Sequence, residues 1–491
     1  MSRLPYVSKS KFLEGLQCPK LLWSEYNAKH LFPEINAALQ AVFDQGQEVG
    51  SLAKKQFPNG IEIQCDPTDF DEALRLTQEA LPLRRPIFEA AFSANGGFAR
   101  ADILNPVSKN EWDIIEVKST TGLKDIHIPD LAFQAWVFAE AGIKIRRCFL
   151  CHINGDFVRH GGIDPKEFFT LRDATVEVAE LSREVEERVS EMGKTIRLAK
   201  CPEIQIGKHC NSPYTCQLHD HCWSFLPPQN VLELYDDKKG RGWDLLKRGV
   251  LRIAEIPDGY SLSAKQEIQR TVAISGRPHF QKTQITSFLN HLEYPLHFLD
   301  FETFSTAIPM FDGTWPYEQI PFQFSLHIVR ENGKKPEHRK FLAEGQNDPR
   351  PDFMRQLKSA IGPVGSILVF NAAFEKGRLK ECSEFLPEHK KWVAAVYERI
   401  ADLLLPFRGF NFYHPNQNGS ASMKSVLPAL TGKGYEHLEI QEGDTASREF
   451  LRITFGDVAE SERKRIRRAL DKYCGQDTEG MVWILDALRS I

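Results

Sequence analysis

No stretch of this chain carries the roughly 18 consecutive apolar residues needed to cross a bilayer, although hydrophobic residues make up 42% of its 491 positions. Met1-Ser-Arg-Leu-Pro-Tyr6 also has no apolar segment of the kind that leads a chain into secretion. No membrane role is expected, and a cytoplasmic setting is. Cysteine is sparse too. Ten cysteines in a chain of this length cannot staple a small scaffold, so any that cluster are expected to be metal ligands under reducing conditions. A basic surplus is missing as well: 62 Lys and Arg stand against 66 Asp and Glu, a formal net charge of -4. Any polyanion must then be held by local patches and not by the field of the whole molecule. That counts only mildly against nucleic acid, because sites that hold metal against phosphate are themselves built of acids. The length suits two or three domains with sizeable cores.

The most informative stretch runs from Arg100 to Lys118. Apolar residues alternate on either side of Asn105-Pro-Val-Ser-Lys-Asn110, which predicts two short strands joined by a turn. Side chains two apart share a face, so Glu116 and Lys118 project together while Ile115 and Val117 point into a core. Asp102 on the partner strand can reach the same side. Two carboxylates beside an ammonium suit a hard divalent cation, Mg²⁺ or Mn²⁺, and a phosphate, with Lys118 placed to steady an attacking water or a developing charge. Taken alone, the same three residues also describe a surface hairpin with a salt bridge.

Around this hairpin, helical and strand patterns alternate. The segment from Ser8 to Trp23 begins as a capped helix with Phe12, Leu13 and Leu16 on one side and Cys18 at its end, before Pro19. Further helices are expected over residues 35–57, with Gly46 and Gly50, over 70–80, and from Ile128, where Gln134 and Phe138 lie one turn apart. Residues 147–154 should continue the sheet. Residues 166–200 read as a solvated amphipathic helix.

Cys210, Cys216 and Cys222 recur at equal intervals in a turn-rich stretch and can wrap one metal centre. Cys18 and Cys201 are the candidates for a fourth thiolate. Cys18 is favoured, because a cluster tying both ends of a domain accounts for a lone cysteine before a proline. The close Cys-x-x-Cys pairs usual in structural zinc sites are missing, while His209, His219 and His221 keep a mixed zinc site open. An iron-sulfur cluster asks for four thiolates and tolerates wider spacing; zinc and free thiols are the alternatives. These cysteines lie far in sequence from Glu116, so the expected role is structural.

Pro227-Pro228 marks a boundary. Residues after it hold short helical pieces, and the run from Leu245 to Ile253 reads as a plain connector or as a small helical hairpin of the kind that grips a phosphate backbone. Then His297-Phe-Leu-Asp300-Phe-Glu302 predicts a buried strand with both carboxylates on one face, with 321–329 as its neighbour. Residues 367–370 run into a helix that sets Asn371 and Glu375 at the edge of that sheet, and Asp402 follows as a candidate auxiliary acid. The last helix carries Ile466, Leu470, Tyr473, Asp477 and Met481 on an inward face. An acid inside an apolar stripe is costly unless it is paired or coordinates something.

With these motifs in this order, the first half resembles the RecB-like PD-(D/E)xK nucleases, in the iron-sulfur branch that includes the CRISPR-associated exonucleases and the nuclease domains of bacterial recombination helicases. Asp102, Glu116 and Lys118 match that family's metal-binding and catalytic triad. Gln134 matches the glutamine of its Gln-x-x-x-Tyr motif, with Phe138 where tyrosine is usual. Cys18 with Cys210, Cys216 and Cys222 matches its one early and three late cluster cysteines, which implies a [4Fe-4S] cluster with zinc as the alternative. Gly50 stands where the branch commonly has a histidine. The second half resembles the DnaQ-like, RNase H-fold 3′-5′ exonucleases: Asp300 and Glu302 match the first motif, Glu375 falls where the second has aspartate, and Tyr473 through Asp477 match the third. In that family the four acids bind two divalent ions and the tyrosine orients the attacking water. The order of motifs resembles a bacterial family of uncharacterised fused nucleases.

The resemblance implies an α/β chain in three parts: a restriction-endonuclease-like PD-(D/E)xK domain over 1–226, a helical connector over 227–292 and an RNase H-like mixed-sheet domain over 293–491. It implies a nuclease that hydrolyses nucleic acid, DNA more readily than RNA, with Mg²⁺ or Mn²⁺. The departures at Gly50, Phe138 and Glu375 leave a second expectation, a nucleic-acid-binding scaffold with one or both sites inactive.

Overall fold

The computed structural model describes residues 6–491. The described chain divides into two compact units: one runs through Phe225 and takes in Thr306–Tyr317, and the other consists of Leu226–Ser305 and Glu318–Ile491. Residues 227–292, expected as a connector, therefore lie within the second unit, and residues 306–317 within the first. Both units are mixed α/β.

The strands of the first unit are β1 (Val7–Ser8), β2 (Ile61–Glu62), β3 (Ile87–Ala94), β4 (Gly97–Pro106), β5 (Glu111–Lys118), β6 (Lys144–Ile153) and β7 (Phe169–Asp173). They lie in the order β2-β3-β4-β5-β6-β7, with β1 added in parallel to β4. Its helices are α1 (Lys9–Gln17), α2 (Pro19–Asn27), α3 (Ala37–Lys54), α4 (Phe70–Ala80), α5 (His127–Glu140), α6 (Pro165–Phe168), α7 (Thr175–Ile196) and α8 (His219–Trp223). β4 and β5 form the expected antiparallel hairpin, and α5 is the crossover that lets β6 run parallel to β5. Alternation along β5 buries both faces. Ile114 packs with Phe12, Phe133, Phe138 and Val189 from α1, α5 and α7, whereas Ile115 packs with Val49 and Ala53 of α3 and with Phe168. A fully buried side chain such as Phe133 contributes about 1.5–3 kcal/mol. The hairpin is thus a central element and not a surface ornament.

Residues 166–200 do not form the one solvated helix that their charge suggested. β7 interrupts them as an edge strand on β6. It buries only Phe169 and exposes Thr170 through Asp173, so its composition resembles a polar helical turn. The Asp173 carboxylate then accepts the Thr175 amide at 3.0 Å and starts α7. α7 buries Val178, Val185, Val189, Met192 and Ile196.

The second unit adds β8 (His279–Phe280), β9 (Leu296–Phe304), β10 (Ile320–Val329), β11 (Glu337–Leu342), β12 (Ile367–Val369), β13 (Ile400–Asp402) and β14 (Phe412–Tyr413). Five of these strands make a mixed sheet in the order β11-β10-β9-β12-β13, antiparallel across β11, β10 and β9 and parallel from β9 to β13. Its helices are α9 (Arg241–Lys247), α10 (Ala264–Ser275), α11 (Lys282–Asn290), α12 (Arg350–Ala360), α13 (Ala372–Phe385), α14 (Lys390–Tyr397), α15 (Leu405–Arg408), α16 (Met423–Thr431), α17 (Gly443–Phe455) and α18 (Glu460–Arg489). Leu299 and Phe301 point into a core with Phe353 and Leu357 of α12 and Leu379 of α13. The even-numbered residues of β9 face the other way, where α17 and α18 pack. The run from Leu245 to Ile253 contributes Leu245 and Ile253 to a small separate core with Val231.

Candidate metal centres

Two acidic centres form, one in each unit. In the first, the ladder between β4 and β5 ends at the pair Ile103 and Ile115. Just beyond it, Asp102 Oδ2 accepts the Val117 amide at 2.7 Å, so a carboxylate takes the place of a ladder carbonyl. Glu116 faces α5. Its Oε2 accepts Gln134 Nε2 at 2.8 Å, and its Oε1 accepts both Lys118 Nζ at 2.8 Å and Lys9 Nζ at 2.7 Å. Asp130, one turn before Gln134, accepts Lys118 Nζ and, at 3.3 Å, Gln134 Nε2. Lys9 Nζ stands 3.9 Å from the same Asp130.

Charge balance follows from this geometry. Burial would push the Glu116 carboxyl up, but the ammonium groups of Lys118 and Lys9 hold it well below the usual carboxylate range. Asp102 makes no ion pair among the described residues, and burial together with the charge of Glu116 pushes it up to about 7. Burial also raises Asp130 against the pull of Lys9. Three carboxylates therefore share two lysines. The oxygens are hard donors of the kind Mg²⁺ or Mn²⁺ takes. Both oxygens of Glu116 are engaged, so a cation that takes Oε1 must displace an ammonium and one that takes Oε2 must displace the Gln134 amide.

Asp102, Glu116, Lys118 and Gln134 are brought together as the sequence suggested. Phe138 is not part of the group: it is fully buried and packs on Phe92 with ring centroids 4.5 Å apart. Gly50 lies on α3, where a Cβ would meet nothing within 4 Å, so a side chain at that position has room. Sequence reasoning missed Lys9 and Asp130. Asp130 could have been found, because it sits four residues before Gln134 on the same helical face. Lys9 carries no local signal at all.

The second centre is built on β9. Asp300 and Glu302 share its α18-facing side, opposite Ser325 and Gln323 of β10. α18 brings Tyr473, Cys474 and Asp477 onto them. One ligand atom each from Asp300, Glu302 and Cys474 lie within 4.8 Å of one another. The Cys474 thiol points at Asp300 Oδ2, 3.8 Å away. Asp477 Oδ1 accepts the hydroxyl of Tyr435, whose ring lies 6.2 Å from that of Tyr473.

Glu375 enters from the first turn of α13, is 2% exposed, and its Oε2 has no hydrogen-bond partner among the described residues. The strand-to-helix junction before it holds Asn371 at φ 102°, a strained conformation of the kind that gathers at functional sites. Asp402 is not the auxiliary ligand its position suggested. Its two oxygens accept the amides of Asn371 and Ala372, each at 3.1 Å, and Oδ1 also accepts that of Leu404 at 3.0 Å. It caps α13.

Among the described residues, none of Asp300, Glu302, Glu375 and Asp477 makes an ion pair with Lys or Arg. Burial, reinforced by Asp477, Glu302 and Glu375, pushes Asp300 well above the carboxylate range, and burial with Asp477 does the same to Glu302. Burial raises Asp477 to about 7 although the Tyr435 hydroxyl and the Lys424 charge oppose it. Burial raises Glu375 to about 8, with Asp402 adding to the effect. Such a surplus of buried acid is costly unless a cation completes it. Tyr435 and Lys424 are the partners that the sequence did not flag.

Cys18, Cys210, Cys216 and Cys222 also converge. The Cys216 thiol is raised to about 11 by burial and feels the other three, and Cys18, raised by burial, feels Cys210 and Cys222. Cys201 lies at the fringe, near Cys222 alone of the four. All ten cysteines are free thiols. A closed four-thiolate zinc site, with Zn–S near 2.3 Å, sets its sulfurs roughly 3.8 Å apart. The Asp300 centre alone among the described residues has three such ligand atoms within 4.8 Å of one another. Four convergent thiols are a donor set that suits either an iron-sulfur cluster or zinc.

Comparison with known proteins yields relatives but no function. The profile of a domain of unknown function (DUF2779) matches residues 297–422, a span that holds Asp300, Glu302 and Glu375 and ends before Tyr473 and Asp477. An uncharacterised protein of Mycoplasma genitalium is 30% identical over 216 residues, 40% of this chain and 32% of that protein. Its Mycoplasma pneumoniae homologue is 28% identical over 206 residues, covering 38% and 31%. An uncharacterised protein of Ureaplasma parvum is 24% identical over 208 residues, covering 38% and 30%. The match spans about a third of the length of these relatives.

Proposed function

We propose that this chain is a metal-dependent nuclease with two hydrolytic centres, acting on DNA in preference to RNA. The observation that carries the reading is the second centre: four carboxylates from β9, α13 and α18, Glu302 and Glu375 buried and Asp300 and Asp477 partly so, with no ion pair to Lys or Arg among the described residues and each driven toward protonation. Asp300, Glu302, Glu375 and Asp477 would hold two divalent ions, Mg²⁺ or Mn²⁺. When bound, those ions supply the charge that activates a water and stabilises the leaving oxygen of a phosphodiester. Tyr473 orients the attacking water, and Tyr435 keeps the Asp477 carboxylate turned toward the centre. In the first unit, Asp102 and Glu116 hold the cation, Lys118 steadies the developing charge, and Gln134 fixes the Glu116 carboxylate.

On this reading the first unit is a PD-(D/E)xK domain of the RecB-like type with a [4Fe-4S] cluster on Cys18, Cys210, Cys216 and Cys222. The antiparallel hairpin β4–β5 followed by the α5 crossover supports it. The second is an RNase H-like domain of the DnaQ type, supported by three antiparallel strands that continue into two parallel ones with the acids on the central strand β9. Neutralisation of Glu116 by two lysines favours a variant of the proposal in which the second centre alone cuts. The test is to incubate anaerobically purified protein with end-labelled single- and double-stranded DNA and RNA and Mg²⁺ or Mn²⁺. Cleavage that Asp300→Ala or Glu116→Ala abolishes supports the proposal. Salt-sensitive binding without cleavage supports a nucleic-acid-binding scaffold instead.

A further inference from the structure

The Glu116 centre and the cysteine site stand at opposite ends of one helix. α1 begins with Lys9, whose ammonium bonds Glu116, and Cys18 is the residue that ends it. Nine residues at 1.5 Å each separate the two by roughly 13 Å. The helix is gripped along its whole length. Its start is fixed by β1, where Val7 and Ser8 pair with Gly97 and Phe98 of β4. Phe12 stacks on Phe133 of α5 with centroids 4.7 Å apart. At Gly15 the helix lies so close to α7 that a Cβ would stand 2.7 Å from the Met192 methyl. Gln17 Nε2 donates to the carbonyls of His209 and Tyr214, both at 2.8 Å, and so holds the loop that carries Cys210 and Cys216. A helix held in this way is a physical link between the two sites, and whether it couples them is for experiment. The cysteines and Glu116 are far apart in sequence, yet α1 joins them in the fold.

Lys9 is also the ammonium more readily lost from the centre. Lys118 binds two carboxylates closely, those of Glu116 and Asp130, whereas Lys9 binds Glu116 at 2.7 Å and stands 3.9 Å from Asp130. Both lysines share Glu116 Oε1, so a divalent ion that takes this oxygen must displace one of them. We propose that Lys9 is a positioning residue that holds Glu116 in place and yields to the divalent cation, and that α1 makes this exchange depend on the metal held by the cysteines. The inference rests on reading the Glu116 centre as a cation site. Linkage requires it to run both ways, so a cation at Glu116 must change how firmly the cysteine metal is held.

The experiment uses the full chain, purified anaerobically, with Asp300→Asn and Glu302→Gln present so that Mn²⁺ reports on the first centre. Free Mn²⁺ is followed by electron paramagnetic resonance, and iron content, visible absorption and circular dichroism establish that each variant is folded and loaded. Lys9→Met should bind Mn²⁺ at least tenfold more tightly than the parent, and Lys9→Arg, which keeps the charge, should stay within about threefold of it. Saturating Mn²⁺ should change the rate at which a chelator extracts the cysteine metal several-fold in the parent and leave it unchanged in Lys9→Met. Equal Mn²⁺ affinity in Lys9→Met and the parent would overturn the inference, as would an extraction rate indifferent to Mn²⁺ in both. Glu116→Gln separates the two levels. If it abolishes Mn²⁺ binding while Lys9→Met leaves affinity unchanged, the cation site stands and the Lys9 role falls. If the parent binds no Mn²⁺, or Glu116→Gln binds it as well, the cation reading fails and takes the inference with it.

Discussion

Glu375→Gln should stabilise the protein when divalent cations are removed. The wild-type carboxyl is buried, has an oxygen without a hydrogen-bond partner, and is raised from 4.5 to about 8. At pH 7 it stays protonated in the fold but would ionise once unfolded. Keeping that proton over about 2.5 pH units costs about 3 kcal/mol as an upper figure, at 1.36 kcal/mol per unit. Glutamine has the same shape and nothing to ionise, so the penalty disappears. For a unit of this size, each kcal/mol moves Tm by about 2–4 °C, so the gain is at most about 6–12 °C. The sign with pH is definite: an acid whose folded pKa is raised binds more protons folded than unfolded between 4.5 and 8, so wild-type stability falls across that window as pH rises. The gap between variant and wild type should close below pH 4.5 and widen toward pH 8. Thermal unfolding in EDTA by circular dichroism measures it, and repeating the scans with Mn²⁺ should favour the wild type. An unchanged or lowered Tm for Glu375→Gln in EDTA, at pH 7 to 8, would refute the reasoning.

His127 provides a second titration. Burial, with help from Lys118, lowers it from 6.5 to about 4, so it is neutral in the fold and must take a proton on unfolding in acid. Stability should therefore fall by up to about 3 kcal/mol as pH drops from 6.5 to 4, and His127→Gln should flatten that limb of a urea-unfolding profile. Asp402→Ala removes the acceptor of three backbone amides at the start of α13 and should cost the second unit about 1–2 kcal/mol in denaturant unfolding. Asp402→Asn should recover only part of it, since one amide oxygen can take the place of Oδ1 but the NH2 in place of Oδ2 cannot accept the Ala372 amide. Anaerobic protein should be brown, with broad visible absorption that bleaches on oxidation; stoichiometric zinc without iron would overturn the cluster assignment.

What the sequence made legible follows from periods and from short range. A period of two on β5 and β9 placed Glu116 with Lys118 and Asp300 with Glu302, and a period near 3.6 on α18 set Tyr473 and Asp477 inward. Residues that arrive from distant elements left no such trace. Lys9 reaches Glu116 only because β1 pairs with β4, and a two-residue strand has no pattern to read. Tyr435 lies on no helix or strand, yet its hydroxyl meets Asp477. Asp402 was misread for a chemical reason: an aspartate that caps a helix and one that binds a metal look alike until their acceptors are assigned. β7 and β11 escaped because an edge strand with one polar face carries the same composition as a helical turn.

The most direct measurement of the central claim is a four-way cleavage assay of end-labelled DNA with Mn²⁺, comparing wild type, Glu116→Ala, Asp300→Ala and the double variant. The account predicts cutting by wild type, a loss in at least one single variant, and no cutting by the double variant. A wild type that cuts nothing, or a double variant that cuts as fast as wild type, would contradict it.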